Sequence, residues 1–312
     1  MKVKLLALAV VVMSVISCKN MQPTVETWNA ELSIEERALL GEGALWHNNE
    51  LLWIDIEGKK LHATKHGVTS TFALPSKIGT VVSMAKNNEV LVALTDGVYC
   101  FNRENDSLVK IVDNPEYAIG SRFNDGKCGP DGRLWVGTYA EGKKQCALYR
   151  VGDGTIEKML DGVTNSNGIA WSPDGKRMYY IDTPTRCVQA FDFDVAQGTL
   201  SNRKVTITIP TEYGNPDGST IDSEGNLWIA HWGGACVTKW NPESGALLGK
   251  VIVPAEHVTS VAFGGKNLDT LFITTVSAWL PDSLLARFPQ SGCVFSAVTG
   301  AKGMQSLEFT RY

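Results

Sequence analysis

The feature that most constrains the fold of this 312-residue chain is a repeat of 40 to 50 residues. Each unit opens with a short apolar stretch, continues through a tight turn, and then carries a second β-rich stretch with aromatic or branched residues. Equivalent points, one per unit, are Gly43, Val82, Gly126, Gly168, Gly218 and Val261. The steps between them are 39, 44, 42, 50 and 43 residues. This period, with about four strands per unit, predicts an all-β, six-bladed β-propeller and fits a pair of β-sandwiches less well.

The tripeptide Pro-Asp-Gly occurs three times, and the repeat assigns its copies to two different places. The copies at 130–132 and 173–175 lie between the first and second strand of their units, where the sequence is typical of a hairpin turn. In the unit that contains NPDGSTIDSEGNLW (215–228), the hairpin turn between the first and second strand is instead formed by the segment 222–226. Asp217 therefore lies about one strand earlier, where the innermost strand begins.

Oxygen-bearing side chains share this register in four units. Glu42, Asp125, Asn167 and Asp217 each precede a glycine at the start of a predicted inner strand. Because inner strands line the central channel of a propeller, we expect these side chains to meet at one mouth. Carboxylate and carboxamide oxygens suit a hard cation such as Ca²⁺, Mg²⁺ or Mn²⁺. The alternative is that each residue satisfies only its own strand-entry turn.

The N-terminus has the pattern of an export signal. Lys2 and Lys4 precede an apolar run that ends at Ser17-Cys18, and the run is short for a membrane span. The sequence before Cys18 is similar to a bacterial lipobox, which predicts a lipidated cysteine; an ordinary secretory peptide is the alternative. We expect a signal peptide over 1–18, a tether over 19–30 and the propeller over 31–312. The protein would then be exported and lipid-anchored, in the periplasm or at the outer membrane.

Composition excludes or disfavours several classes. The formal net charge of -4 provides no basic surface for nucleic acid. The other cysteines have wide spacings without a CxxC pair, which favours buried thiols over disulfides or zinc ligands. A serine hydrolase is disfavoured because no GxSxG motif is present. His231 is the best candidate for a catalytic histidine among the five, but it is expected to be structural. Trp46, Trp135, Trp171 and Trp228 recur at repeat positions and are expected to contribute to blade packing rather than to form a sugar-binding platform.

Several segments resemble the gluconolactonase and regucalcin (senescence marker protein) family in sequence and in order. They are LGEGALW (40–46), RFNDGKCGPDGRLWVGT (122–138), NSNGIAWSPDGKRMYYIDT (165–183), NPDGSTIDSEGNLWIAHWGG (215–234) and TSVAFGGKNLDTLFITT (259–275). The similarity extends from about residue 38 to the end. It implies a six-bladed propeller with one divalent cation in the channel, for which Ca, Zn, Mg and Mn are all candidates. It also implies, for many members, hydrolysis of sugar lactones.

The resemblance also implies roles for individual residues. The metal ligands match Glu42, Asn167 and Asp217, and the substrate-binding residues of an RxND motif match Arg122 and Asn124. Asp217 is also the candidate general base. Whether Asp125 supports the metal or the neighbouring loop is left open, and Arg122 has a purely structural pairing with a nearby carboxylate as its alternative. Where family members often carry paired acidic residues, GTYAEGKK offers only Glu141 as a substrate-binding residue, so the substrate rim is expected to differ.

The functional prediction is a divalent-metal-dependent hydrolase that opens a sugar lactone and acts as a monomer. The alternative is a non-catalytic, lipid-anchored propeller that uses the same site to bind a metal and a carbohydrate. Another propeller esterase chemistry, on phosphotriesters or aryl esters, is a third possibility.

Overall fold

The computed structural model describes residues 25–86, 88–142 and 145–311, and it is an all-β, six-bladed propeller. Each blade is a sheet whose inner four strands are antiparallel neighbours. In chain order the strands are β1 (Glu26–Asn29), β2 (Glu31–Ile34), β3 (Gly41–His47), β4 (Glu50–Asp55), β5 (Lys60–Lys65), β6 (Val68–Ala73), β7 (Ile78–Ser83), β8 (Glu89–Leu94), β9 (Gly97–Asn102), β10 (Ser107–Asp113), β11 (Arg122–Cys128), β12 (Leu134–Tyr139), β13 (Cys146–Gly152), β14 (Thr155–Val163), β15 (Ser166–Trp171), β16 (Arg177–Asp182), β17 (Cys187–Asp194), β18 (Thr199–Thr208), β19 (Asn215–Ile221), β20 (Leu227–Trp232), β21 (Cys236–Asn241), β22 (Ala246–Ile252), β23 (Val258–Gly264), β24 (Thr270–Thr275) and β25 (Val294–Val298). Helical structure in the described residues is limited to three 3₁₀ turns, at Tyr117–Ile119, Thr183–Thr185 and Thr211–Tyr213, and to α1 (Asp282–Arg287).

The first strand of each unit is the innermost strand of its blade, as the repeat predicts. These six strands (β3, β7, β11, β15, β19 and β23) contact one another in that order, and β23 returns to β3 to close the ring. The turns at 130–132 and 173–175 join first to second strands, and Asp217 lies in β19, so both register assignments are confirmed.

Aromatic residues hold neighbouring blades together. Trp135 and Trp228 are fully buried, and Trp171 packs edge-on against Trp135 with ring centroids 6.2 Å apart. Trp228 meets Phe263 of the next blade at 5.5 Å in a T-shaped arrangement, and Trp46 stacks on Phe272 at 5.5 Å. Such contacts add specific geometry to apolar burial. The predicted role of the recurring tryptophans in blade packing is therefore confirmed, and the structure shows that these contacts join neighbouring blades.

The N-terminal strands close the ring, and they begin earlier than expected. β2 pairs with β25 and becomes the outer strand of the sixth blade. β1 adds to the fifth blade in parallel with β22, and its Trp28 packs on Trp228 at 5.6 Å. The predicted tether over 19–30 therefore extends too far, because residues 26–29 form β1 and pack a partly buried aromatic side chain against the propeller. The candidate signal peptide and Cys18 lie outside the described residues.

The C-terminal tail covers one end of the channel. Gly303 bridges to Asp222, and Phe309 bridges to Met84, so the tail crosses from the fifth blade to the second. The Thr310 amide then donates to the Gly132 carbonyl at 2.9 Å. Beneath the tail, the far ends of the inner strands enclose a mainly apolar chamber of about 280 Å³.

A further expectation concerns the thiols, and a separate finding concerns the helices. Cys128, Cys146, Cys236 and Cys293 are buried free thiols, which agrees with their apolar surroundings. In the described part of the chain, no helix has the length and apolar character needed to cross a bilayer.

Candidate metal centre and substrate mouth

All six inner strands are irregular at the same level, and that level is where the candidate ligands lie. The pairing of each inner strand with its neighbour shifts register between residues 42 and 45, 78 and 80, 123 and 126, 167 and 169, 216 and 219, and 258 and 261. A β-bulge bends its strand and redirects side chains. Side chains that would otherwise alternate across the blade are thereby directed toward the channel mouth.

Glycines allow the bulged strands to approach closely. Gly43 has a φ of 58°, which strains any residue with a Cβ. A Cβ on Gly168 would lie 2.8 Å from the backbone oxygen of Asp217 in the next blade. The glycine that follows each candidate ligand is thus needed for backbone geometry, as the sequence indicates.

Glu42, Asn167 and Asp217 line one open cavity of about 660 Å³ at the mouth of the channel. Their exposed fractions are 8%, 3% and 6%. They come from the first, fourth and fifth blades, so the ring closure brings distant parts of the chain together. The structure therefore brings together the three predicted metal ligands.

The two carboxylates of this set lack enough positive charge around them. Burial, with the Asp125 carboxylate nearby, raises the pKa of Glu42 to about 8. Burial and the charge of Glu42 raise the pKa of Asp217 well above its ordinary value. Arg122 opposes both shifts but does not cancel them. A bound cation would supply the counter-charge that this pair lacks.

Asn167 is fixed with its carboxamide oxygen available. Its Nδ2 donates to the Thr183 hydroxyl at 2.7 Å, and that hydroxyl donates to the Pro216 carbonyl at 2.8 Å. The Asn167 oxygen accepts from Asn124 Nδ2 at 3.2 Å and keeps a second lone pair. Sequence reasoning missed Thr183, whose contribution depends on contacts between two blades.

These residues fit a hard divalent cation: two carboxylates and one carboxamide, all oxygen donors, buried and short of positive charge. Among the described residues, no group of three or more His, Cys, Asp or Glu side chains has the arrangement of a metal site. The candidate set contains only two such side chains, Glu42 and Asp217, because its third donor is the amide of Asn167. An amide ligand favours Ca²⁺, Mg²⁺ or Mn²⁺ over a thiophilic metal.

Asp125 lies deeper than its sequence register suggests. It lines a narrow waist of about 10 Å³ below the mouth together with Lys127, and it accepts the Gly126 amide at 2.8 Å. Lys127 reaches across the channel to donate to the Ser219 carbonyl at 2.8 Å. Burial raises the pKa of Asp125, and the charge of Lys127 opposes that shift without cancelling it. The bulge at 123–126 places Asn124, not Asp125, at the mouth. The expectation that Asp125 joins the other three at the mouth is therefore wrong.

Arg122 and Asn124 are arranged to present polar groups to the same cavity. Arg122 donates to the Asn124 oxygen at 2.6 Å, and its guanidinium lies 5.1 Å from the centre of the Tyr139 ring. The described ion pairs include none between Arg122 and Asp125 or any other carboxylate, so the structural pairing considered for Arg122 is not found among the described residues. Burial lowers the pKa of Arg122, while the carboxylates of Glu57 and Glu42 oppose that shift. Glu141 is exposed on the rim of the same cavity.

His231 lies away from this cavity lining. It is fully buried, and its Nε2 is 2.5 Å from the Thr238 hydroxyl on the neighbouring strand. It packs beside Tyr213 at 6.1 Å. These contacts agree with the expected structural role.

The sequence profile described as "SMP-30/Gluconolactonase/LRE-like region" matches residues 40–277. The chain belongs to this family. The "Putative sugar lactone lactonase YvrE" of Bacillus subtilis is 37% identical over 288 residues, covering 90% of this chain and 98% of that protein. Regucalcin of Danio rerio is 33% identical over 292 residues, covering 90% and 98%.

Solved structures extend the family comparison to the fold. Regucalcin of Agrobacterium tumefaciens, described as a calcium-binding protein, superposes with a TM-score of 0.87 at 26% identity. The superposition covers 92% of this chain and 99% of that one. This propeller is thus similar over most of its length to regucalcins and to a putative sugar lactone lactonase.

Proposed function

We propose that the protein is a divalent-metal-dependent hydrolase that opens the ester ring of a sugar lactone. The observation that carries the proposal is the convergence of Glu42, Asn167, Asp217, Arg122 and Asn124 on one mouth of the channel. Membership of a family that contains sugar lactonases supports the reaction class. The buried, charge-deficient carboxylates support the requirement for a cation.

Glu42, Asn167 and Asp217 would hold the cation. When bound, a divalent cation at these oxygens supplies Lewis-acid polarisation of the lactone carbonyl and counter-charge for the oxygen that becomes negative. Thr183 keeps the Asn167 amide oriented. Arg122 donates a hydrogen bond to the Asn124 oxygen, so that the Nδ2 of Asn124 faces Asn167 and Ser166.

The protein groups then bind the sugar and move a proton. Arg122, Asn124 and Glu141 offer donors and acceptors for the hydroxyl and carbonyl oxygens of the lactone. Asp217 accepts a proton from the water that adds to the carbonyl carbon. The ring carbon–oxygen bond breaks, the released hydroxyl is protonated, and the products are an aldonate and one proton.

The release of that proton provides the test. The protein would be stripped with EDTA, reloaded with one of Ca²⁺, Mg²⁺, Mn²⁺ or Zn²⁺ at a time, and assayed by pH-stat on a panel of aldonolactones. Turnover that disappears with EDTA and returns with a cation is expected. A folded, metal-loaded protein that hydrolyses no lactone would overturn the proposal.

A non-catalytic calcium- and carbohydrate-binding propeller is the second candidate. It is favoured by the likeness to the A. tumefaciens regucalcin described as calcium-binding. Calcium binding by calorimetry, together with zero turnover on the same lactone panel, would establish this function instead.

We also propose that the protein is exported and anchored by lipid at Cys18, in the periplasm or at the outer membrane. The support is the charged start, the apolar run and the Ser17-Cys18 sequence. The wild type is expected to incorporate labelled palmitate and to appear in the membrane fraction. Cys18→Ala is expected to lose both properties. Equal soluble fractions of the two proteins would reject the anchor.

A further inference from the structure

A single strained tryptophan stands at the rim of the candidate site. Trp279 follows β24, is 66% exposed, and has a φ of 59°. A bulky residue in the left-handed region is an outlier whose strain must be offset by its surroundings. Trp279 lines the same mouth cavity as Glu42 and Asp217.

The chain on both sides of Trp279 is fixed. The Ser277 hydroxyl donates to the Ala38 carbonyl at 2.6 Å, and the Ala278 amide donates to the Leu39 carbonyl at 3.0 Å. Leu280 on the other side is buried, and Pro281 then leads into α1. The indole is thus held out at the rim by anchors on either side of it.

The indole of Trp279 also has its faces available. Trp232, the other tryptophan of the mouth, stacks on His257 with centroids 4.1 Å apart. For Trp279, the described residues provide no comparable ring or cation contact. An exposed, rigidly placed aromatic face next to polar side chains is suited to the C–H face of a sugar ring.

The mouth is larger than a monosaccharide lactone requires. Its volume is about 660 Å³. A hexonolactone has about 12 non-hydrogen atoms and at protein-like packing fills less than half of that space. Further polar groups line the remaining cavity, including the Lys77–Glu57 ion pair at 2.6 Å.

We infer that Trp279 is a specificity-determining residue that stacks on a second sugar ring, so that the preferred substrate is the lactone of a disaccharide aldonic acid. This inference rests on the proposed lactonase function and names its substrate class. The lactone ring would lie at Glu42, Asn167 and Asp217, and the glycosyl ring would extend outward over the indole.

The experiment compares kcat/KM for the lactones of gluconic acid and of cellobionic acid in the metal-loaded protein. Wild type is expected to prefer the disaccharide lactone, and Trp279→Ala to lose about tenfold on it while changing less than about twofold on the monosaccharide lactone. Trp279→Phe, which keeps an aromatic face, retains most of the preference. No preference in wild type, or an equal loss on both lactones in Trp279→Ala, overturns the inference.

A binding measurement separates this inference from the proposed function. The corresponding δ-lactams keep the ring carbonyl but resist hydrolysis, so calorimetry with them needs no turnover. Tighter binding of the disaccharide lactam by wild type, reduced to the monosaccharide level in Trp279→Ala, supports the role of Trp279 even if no lactone is hydrolysed. Equal binding of the two lactams by wild type overturns it even if gluconolactone is hydrolysed.

Discussion

Asn167 Nδ2 lies 2.7 Å from the Thr183 hydroxyl, and this contact determines which atom of the carboxamide faces the channel mouth. The same hydroxyl donates to Pro216, the residue before Asp217. The Thr183 side chain therefore links the candidate ligand of the fourth blade, Asn167, to the strand that carries the candidate ligand of the fifth, Asp217.

Thr183→Val is expected to weaken cation binding by about 10- to 100-fold, as is typical when a residue that orients a metal ligand is lost. Valine keeps the shape but removes both hydrogen bonds. Calorimetric titration of the EDTA-stripped protein with Ca²⁺ and Mn²⁺ measures the effect, and Thr183→Ser is the matched control that retains affinity. Unchanged affinity in the valine variant would show that Asn167 is oriented without Thr183.

Asp217→Asn is expected to reduce lactone turnover by at least about 100-fold, since it removes both a ligand charge and the proposed base. Without metal, the same variant should be more stable by about 2–4 °C in Tm, because it removes a carboxyl group whose pKa is raised by burial and by the charge of Glu42. Thermal unfolding with and without cation measures both effects. Asp174→Asn, in the exposed Pro-Asp-Gly turn, is the control and should leave turnover and the metal-induced shift unchanged. Full activity in Asp217→Asn would remove this residue from the site.

Gly168→Ala is expected to destabilise the protein by about 1–3 kcal/mol and to weaken cation binding. The added Cβ would meet Asp217 O and Ser219 Oγ at 2.8 Å each, so the two blades must separate at the ligands. Gly67→Ala is the contrast: Gly67 has a φ of 77° but has nothing within 4 Å of its Cβ position. Urea unfolding and cation titration of both variants test this. Equal cation affinity in wild type and Gly168→Ala would contradict the close approach.

His231 is expected to make the fold sensitive to acid. Burial lowers the pKa of His231 to about 3, whereas in the unfolded chain it has the ordinary value of 6.5. Between these values only the unfolded state binds the proton, so the free energy of unfolding falls as pH falls, by about 1.4 kcal/mol per pH unit from this group. His231→Gln should reduce that slope between pH 6 and 4 in urea titrations. His66→Gln, in an exposed turn, is the control; the same slope in wild type and His231→Gln would refute the assignment.

Much of the fold was predictable because its signals are local. Turn sequences and alternating strands recur once per unit, and comparing the units separated Asp217 from the hairpin aspartates at 131 and 174. The position of Asp125 was not predictable in this way. The shift in pairing between β11 and β12 places Asn124 at the mouth. The sequence of β12 is typical of a strand and does not indicate this bulge.

Two further features depended on contacts that no repeat encodes. β1 and β2 pair with strands more than 200 positions away, so residues 26–29 had no local signal of a strand. Trp279 occupies a connection specific to the sixth blade, and its position depends on hydrogen bonds from neighbouring residues to Ala38 and Leu39. The repeat register placed the candidate ligands at one mouth and the family resemblance selected Glu42, Asn167 and Asp217 among them, whereas the position of Trp279 at the rim required the structure.

The pairing of β2 with β25 also has a kinetic consequence. Residues 31–34 cannot pair until residues 294–298 are available, so the sixth blade is the last to form. A chain that emerges from the ribosome or a translocation pore can fold five blades before the ring closes. Long-range closure of this kind slows folding and leaves strand edges exposed in the interval. The final stretch of about 20 residues therefore decides when the nascent protein becomes resistant to proteases and aggregation.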